Sequence, residues 1–369
     1  MPVTWPLVPK YSLEADRVPV GTTIFVSCRF PKLMRRLPVT TLFLLTILAV
    51  HAQDPNFSQF FASPLTLNPA LTGKFDGTLR AAANYRNQWP TFNRAFTTAT
   101  VSADFGILKN RIAEIDQFGI GLMGFTDQSG NGTLKNNSFS LSTAYHKGLD
   151  ENGRHQLGLG FQGTYVNKRL DVSGLKFEDQ LRSDGFTGLT QESFSTAQLN
   201  VSYFDVNAGF FYNGTTNGAN NIYVGASMYH LNRHKETFNN GQYLLAPRLT
   251  LQAGGRLPMG DMNNLHFSGM HSRQAGARNT TFGAAYALNL NASETTPTNL
   301  YLGSWFRVGD AVIPYVGLEF SELRVGATYD VNVSTLRPGS NLRGGGEFSL
   351  IYVRQHRDPN VKKLNCPVF

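Results

Sequence analysis

Apolar and polar side chains alternate along most of the chain. Between about residues 79 and 353, stretches of roughly eight to twelve alternating residues are separated by short breaks rich in Gly, Asn, Asp or Pro. In "GEFSLIYV", for example, Phe348 and Leu350 share one face, and Glu347 and Ser349 lie on the other. Strict alternation of this kind is typical of β-strands with one apolar face. The chain is therefore predicted to be all-β.

The predicted fold is a transmembrane outer-membrane β-barrel of about fourteen antiparallel strands. Segments of ~9–11 residues suit strands that cross a bilayer at a tilt, and an even strand number is usual in bacterial barrels. The apolar faces would point to lipid, whereas Gly, Ser, Thr, Gln and charged residues would line the lumen, the reverse of a soluble sandwich. The predicted strands are 79–89, 95–105, 116–125, 136–147, 155–166, 203–213, 220–231, 247–257, 263–271, 279–290, 298–308, 311–320, 322–331 and 344–353.

The longest break between predicted strands covers residues 167–198. Loops above about 12–15 residues are usually functional or disordered. The apolar residues Phe177, Leu181 and Phe186 within it favour a folded lid or docking loop over free coil. With five strands before it, we expect this loop on the periplasmic side, or outside if the strand count is wrong by one. The even strand count predicts that both chain termini are periplasmic.

The N-terminal region carries the pattern of a secretory signal peptide. Arg35 and Arg36 precede the short apolar run "LPVTTLFLLTILAV" and a small-residue exit, which predicts cleavage after Ala52. The expected division is as follows: 1–33 a mis-called start or an extension, 34–52 the signal peptide, 53–78 an N-terminal periplasmic segment, 79–353 the barrel, and 354–369 a basic C-terminal tail.

Composition narrows the possible functions. Removing residues 1–52 removes six of the Lys and Arg residues and two of the acids, which lowers the net charge from +8 to +4. No basic cluster with interleaved aromatics supports nucleic-acid binding. No nucleophile, P-loop or paired-cysteine motif is present, so we predict no enzyme and no cofactor. His230 and His234 have the spacing of a helical metal pair, but they end a predicted strand and do not converge there, so no metal site is predicted.

The stretch that follows the signal peptide, "QDPNFSQFFASPLTLNPALTG", resembles neither helix nor strand. Its Pro and Asn residues cannot continue a β-ladder, and it has too many apolar residues for an idle tail. We expect it to dock a periplasmic partner or to plug the lumen, and the sequence leaves both open. The candidate partner-binding residues are Phe57, Phe60, Phe61, Leu67, Asn68, Pro69 and Trp89.

This stretch, together with the "NYRNQWP" that follows it, resembles the mature N-terminus of the PorP/SprF family of outer-membrane proteins. The stretches "GLKFEDQ", "DVNAGFFYN", "YVGASMYHLNRHKETF" and "GGGEFSLIYV", and the tail ending "NCPVF", resemble the family in the same order. A family tail more often reads Cys-Pro-Arg-Phe, so Val368 is a departure.

The resemblance implies an exported, non-catalytic barrel with a role in type IX secretion or gliding motility. Its implied partners are outer-membrane lipid, periplasmic type IX secretion or peptidoglycan-associated lipoproteins, and secreted cargo proteins. The alternative function is a passive porin or small-molecule transporter on a similar scaffold. A porin should show opposing rings of charge in its lumen, whereas this sequence places only scattered charges there, such as Glu319, Arg324 and Asp330.

Overall fold

The structure is a computed structural model that describes residues 54–92, 96–107, 115–195, 199–236, 243–291 and 298–355. The expected extension, the expected signal peptide and the tail from residue 356 lie outside these residues. The long strands are β1 (Leu79–Gln88), β2 (Phe96–Ile107), β3 (Gln117–Ser129), β4 (Leu134–Gly148), β5 (His155–Leu170), β8 (Asn200–Gly214), β9 (Asn221–Tyr229), β12 (Arg248–Met259), β13 (Asn263–Gln274), β14 (Ala277–Asn289), β15 (Thr298–Arg307), β16 (Ala311–Phe320), β17 (Leu323–Asn332) and β18 (Arg343–Arg354).

The remaining elements are short. Strands β6 (Leu181–Arg182) and β7 (Gly185–Phe186) form one small hairpin, and β10 (Lys235–Glu236) and β11 (Tyr243–Leu244) form another. Single helical turns lie at Phe60–Ala62, Pro64–Leu67, Pro69–Leu71, Glu178–Gln180 and Arg337–Ser340. None of the helices in the described residues is long and apolar enough to cross a membrane.

The long strands form one closed antiparallel barrel. Each pairs with its neighbours along the chain, and β1 closes the ring by pairing with β18, with Ala83 opposite Leu350. The prediction of a fourteen-stranded antiparallel barrel is confirmed in the described residues. Closure matters because hydrocarbon offers no hydrogen-bond partner to an open strand edge.

The two faces of the wall have the polarity of a membrane protein. Large apolar side chains on the outer face are exposed, among them Phe161 and Phe348, which are 60% and 61% exposed. The inner face buries polar side chains such as Gln162 and Glu347. Because the apolar residues are outside and the polar ones inside, the surrounding medium that suits this wall is lipid.

The connections between strands differ between the two ends of the barrel. The start of β1 and the end of β18 share one end, since Leu79 pairs with Arg354, and we call it the terminal end. The two longest connections, 171–199 and 230–247, lie at the opposite end, which we call the long-loop end. The expectation that the loop at 167–198 lies on the side where β1 begins is wrong. Five strands precede this loop, and after an odd number of crossings the chain is on the opposite side.

Residues 54–75, which we call the plug, run through the lumen from one end to the other. At the long-loop end, the Asp54 amide donates to the side chain of Gln274, the last residue of β13. At the terminal end, the Gly73 amide donates to Asp104 of β2 at 2.7 Å. The described chain therefore begins at the end opposite Arg354. The two chain termini, which the sequence predicts to be periplasmic, lie outside the described residues.

The path of the plug can be tested with a pair of cysteine variants. Since long loops are extracellular in bacterial barrels, Asn56→Cys should be labelled on intact cells by a small membrane-impermeant thiol reagent. Asp76→Cys, which is also accessible but at the terminal end, should be labelled only after lysis. Both variants would carry Cys366→Ser. Labelling at position 76 but not 56 before lysis would contradict the proposed direction.

Candidate functional site

The plug is held in its irregular path by its own sequence. Pro64 and Pro69 each occupy the first position of a helical turn, where the missing amide hydrogen is not needed. Asn68 caps the second of these turns, because its side-chain oxygen accepts a hydrogen bond from the Ala70 amide at 2.8 Å. The plug is therefore a chain of short helical turns rather than a strand, as its Pro and Asn content predicts.

Glycines of the wall let the plug backbone approach closely. A Cβ atom on Gly160 of β5 would lie far inside van der Waals contact with the backbone of Pro69 and Ala70. A Cβ on Gly119 of β3 would meet the backbone of Thr72 in the same way. The small residues on the inner faces of these strands thus form a seat for the plug.

The turn at Asn68 is also hydrogen-bonded to the wall. The Asn68 side-chain amide donates to the backbone oxygens of Phe210 and Ala226, at 2.9 and 3.3 Å, on strands β8 and β9. The Ser227 hydroxyl donates to the Leu67 carbonyl at 2.7 Å. Leu67, Asn68 and Pro69, three of the residues singled out in the sequence, are buried at this contact.

The three candidate phenylalanines are buried inside the barrel. Phe57, Phe60 and Phe61 are 5%, 4% and 8% exposed. The Phe61 ring packs 4.8 Å from the Trp305 ring and 5.6 Å from the Tyr315 ring, centroid to centroid. Such a ring is worth roughly 1.5–3 kcal/mol against exposure. These phenylalanines contact the wall from within and present no surface to a partner while the plug is seated.

Glu347 of β18 binds the plug backbone. Its two carboxylate oxygens accept hydrogen bonds from the amides of Ser58 and Gln59, at 2.7 and 2.9 Å. The Gln59 side-chain amide in turn donates to the Glu347 carbonyl at 3.1 Å. Because three hydrogen bonds join Glu347 to two consecutive plug residues, it is a main attachment point of the plug.

A buried ion network surrounds the same point. Asp330 accepts from the Ser58 hydroxyl at 2.7 Å and pairs with Arg86 and Arg307 at 2.8 and 2.9 Å. Arg307 also pairs with Asp310 at 2.8 Å. These charges were not singled out as site residues from the sequence, although Asp330 was expected to face the lumen. Removing one partner from such a network leaves an uncompensated buried charge, which is strongly destabilising.

Arg324, another of the three lumen charges named from the sequence, belongs to a separate ion pair. It pairs with Glu319 at 2.8 Å and lies over the Tyr301 ring, 4.7 Å from its centroid. The inward-facing charges therefore form local ion pairs within the wall rather than opposing rings across an open lumen.

The first residue of the plug is anchored by a second polar cluster. Asp54 accepts from His230 at 2.7 Å and pairs with Arg248 at 3.3 Å, and the second ring nitrogen of His230 lies 2.9 Å from Asp205. Burial lowers the pKa of His230, but the two carboxylates outweigh burial and raise this pKa from 6.5 to about 9. Burial raises the pKa of Asp54, but His230 and Arg248 hold it well below 3.8.

Trp89, the remaining sequence candidate, lies apart from the other six. It follows β1 and packs edge-on against Phe96, with ring centroids 5.6 Å apart. Both rings line a cavity of about 610 Å³ at the long-loop end, which we call the vestibule, and Asn56 of the plug also lines it. Among the described residues, no group of three or more His, Cys, Asp or Glu could hold a metal ion. His234 stacks on Tyr203 instead of joining His230.

Comparison with known proteins finds one family that matches by sequence. Residues 49–352 match the family model described as "Type IX secretion system membrane protein PorP/SprF", which confirms the resemblance drawn from the sequence. No curated protein matches the chain.

Similar solved structures are outer-membrane barrels of low identity. The toluene transporter TbuX from Ralstonia pickettii is 11% identical over 80% of this chain and 94% of that chain, with a TM-score of 0.47. A FadL homologue from Pseudomonas aeruginosa is 10% identical over 77% and 92%, with a TM-score of 0.40. BamA from Haemophilus ducreyi lacking POTRA domains 1–3 is 9% identical over 75% and 70%, with a TM-score of 0.37.

The glycine seat predicts the effect of one added methyl group. Gly160→Ala should push the plug off the wall, since the opposing atoms are backbone and cannot rotate away. Overpacking should destabilise the seated position of the plug by about 1–3 kcal/mol. Ser63 is buried in the seated plug, so the reactivity of a Ser63→Cys thiol reports on unseating and should rise by roughly 5- to 150-fold. Gly124→Ala is the matched control, because a Cβ there has no atom nearer than 4.0 Å. Equal thiol reactivity in the two variants would contradict the seat.

The His230 cluster predicts a loss of stability at alkaline pH. A pKa raised from 6.5 to about 9 gives stabilisation that is complete below pH 6.5 and is lost as the pH rises through 9. The thermal midpoint of the purified barrel should therefore exceed that of His230→Gln at pH 6, and the difference should shrink by pH 10. Heat-modified gel mobility measures both midpoints. A difference that stays constant across this range would show that His230 is not charged in the folded protein.

Proposed function

The chain belongs to the PorP/SprF family of type IX secretion system membrane proteins, and we propose that it is a non-enzymatic accessory barrel that acts in secretion by binding other proteins. Family and fold are those of a secretion-system barrel rather than of an enzyme class, and they point to the outer membrane. The proposed partners are periplasmic lipoproteins of the secretion machinery at the terminal end and secreted cargo at the long-loop end. In a gliding host the same contacts would serve motility.

The observation that carries this proposal is the filled lumen. The plug contacts the wall on many sides, for example Gly160 of β5 and Glu347 of β18. A diffusion pore needs an open path, whereas here the chain itself occupies the route between the two ends. A passive porin, the alternative considered from the sequence, is therefore not favoured. A barrel without a free pore can contribute to secretion through its outer surfaces, its loops and its two mouths.

The seven sequence-predicted residues fit a supporting role in this proposal. A direct contact of Phe57, Phe60 or Phe61 with a partner would require the plug to leave the lumen. We propose that these residues, with Leu67, Asn68 and Pro69, act by seating the plug, whereas Trp89 lines the vestibule that an external partner could reach. Outer-membrane lipid would contact only the outer face of the wall.

Conductance and secretion assays together test the proposed function. In planar bilayers the wild-type barrel should show no steady channels, because the plug fills the lumen. Deleting the gene should stop export of cargo, and the wild-type gene should restore it. Steady open channels of the wild type, combined with normal export in the deletion strain, would support the porin instead.

A plug variant provides the control for these assays. Replacing Phe57, Phe60 and Phe61 by serine should loosen the plug, since each buried ring contributes roughly 1.5–3 kcal/mol. The barrel should still insert and keep its heat-modifiable mobility, because closed backbone hydrogen bonding holds the wall. Channel events that appear in this variant but not in the wild type would identify the plug as the closure.

A further inference from the structure

The long connection between β5 and β8 contains a small folded unit, which we call the loop unit and define as residues 171–195. The Asp179 carboxylate accepts hydrogen bonds from the Thr190 hydroxyl and the Gln191 amide, at 3.0 and 2.5 Å. The rings of Phe177 and Phe194 pack with centroids 5.8 Å apart. These contacts hold the loop unit in one folded arrangement, so it has a defined surface.

This surface exposes large apolar side chains outside the membrane. Leu181, Phe186 and Leu189 are 55%, 46% and 90% exposed. A strand crosses a bilayer with about 9–11 residues, whereas β5 has 16, so the loop unit is carried above the lipid. Exposed apolar residues on the strands are explained by lipid. Those on the loop unit face water. Leu181 and Phe186 are cross-strand partners in the β6–β7 hairpin, and the Gly188 amide, next to Leu189, donates to the Gln180 carbonyl, next to Leu181. Exposed apolar patches in water mark interaction sites.

The charge of the loop unit is opposite to that of the rest of the barrel. It contains five acids and two bases, a net charge of −3, in a chain whose segment after residue 52 is predicted to carry +4. The acids are Asp171, Glu178, Asp179, Asp184 and Glu192, and the bases are Lys176 and Arg182. Charge complementarity selects partners by sign, so the favoured partner is basic.

We propose that the loop unit is the docking surface for a secreted protein that presents an apolar patch edged by lysine or arginine. The inference rests on the proposed function and specifies which surface receives the cargo. Leu181, Phe186 and Leu189 would be covered by the partner's apolar patch, and the exposed carboxylates of Glu178 and Glu192 would pair with its basic rim. An anionic membrane surface does not fit, because it would be repelled by the acids. A second copy of this chain would bring the same negative loop unit and is repelled for the same reason.

Photocrosslinking on intact cells tests this surface. Leu189→Cys in a Cys366→Ser background would be labelled with a membrane-impermeant thiol-reactive benzophenone, irradiated, and analysed by mass spectrometry. We expect an adduct with an exported protein whose secretion stops when the barrel gene is deleted. Glu178→Lys combined with Glu192→Lys should reduce the adduct by about tenfold, and so should 1 M salt, which shortens the Debye length to about 3 Å.

The control is Thr335→Cys, an exposed position in another loop at the same end. An equal adduct at Thr335→Cys, an adduct that is insensitive to charge reversal, or adducts with lipid alone would overturn the docking surface. These outcomes are separate from the proposed function, which fails only if the deletion strain exports its cargo normally. Leu189 is almost fully exposed, so its replacement leaves folding of the barrel unaffected.

Discussion

The requirement that every backbone group in hydrocarbon be hydrogen-bonded governs the rest of this structure. It forces the wall to close, which it does where β1 pairs with β18. A barrel of about eight strands can fill its interior with its own side chains, but fourteen strands enclose more space than the inward side chains occupy. The outer face of the wall is apolar, so the polar side chains face inward. These polar groups need hydrogen-bond partners, and the plug supplies them.

The plug and the wall meet through polar and backbone contacts as well as through a buried apolar cluster. Glu347 and Asp330 bind amides and a hydroxyl of Ser58 and Gln59, and Asn68 binds carbonyl oxygens of the wall. Aromatic packing of Phe61 on Trp305 adds an apolar contact. Because buried polar groups are costly when unpaired, each of these pairings favours one position of the plug.

The sequence predicted the wall well because its information is local. A period of two identifies a strand and its apolar face, and each of the fourteen predicted segments overlaps a strand of the barrel.

The site was harder to predict because its contacts are distant in sequence. Ser58 and Glu347 are 289 residues apart, and alternation shows that Glu347 faces inward without showing what it binds. The plug was foreseen as one of two possibilities, but its direction through the lumen has no local signal. The sequence shows glycines on the inner faces of the strands. It does not show that Gly160 lies against the backbone of Pro69 and Ala70, which is what explains its role.

A seated plug changes which parts of the barrel can take part in function. The buried phenylalanines are withdrawn from any partner, while Asp54 and Asn56 remain at the vestibule and the loop unit stands above the wall. Arg307 links these regions, since it pairs with Asp310 at the vestibule and with Asp330, which also binds Ser58. The vestibule and the attachment point of the plug at Ser58 thus share one ion network. Closure by hydrogen bonding holds the wall, polar pairing holds the plug, and the surfaces that neither requires are free to bind proteins.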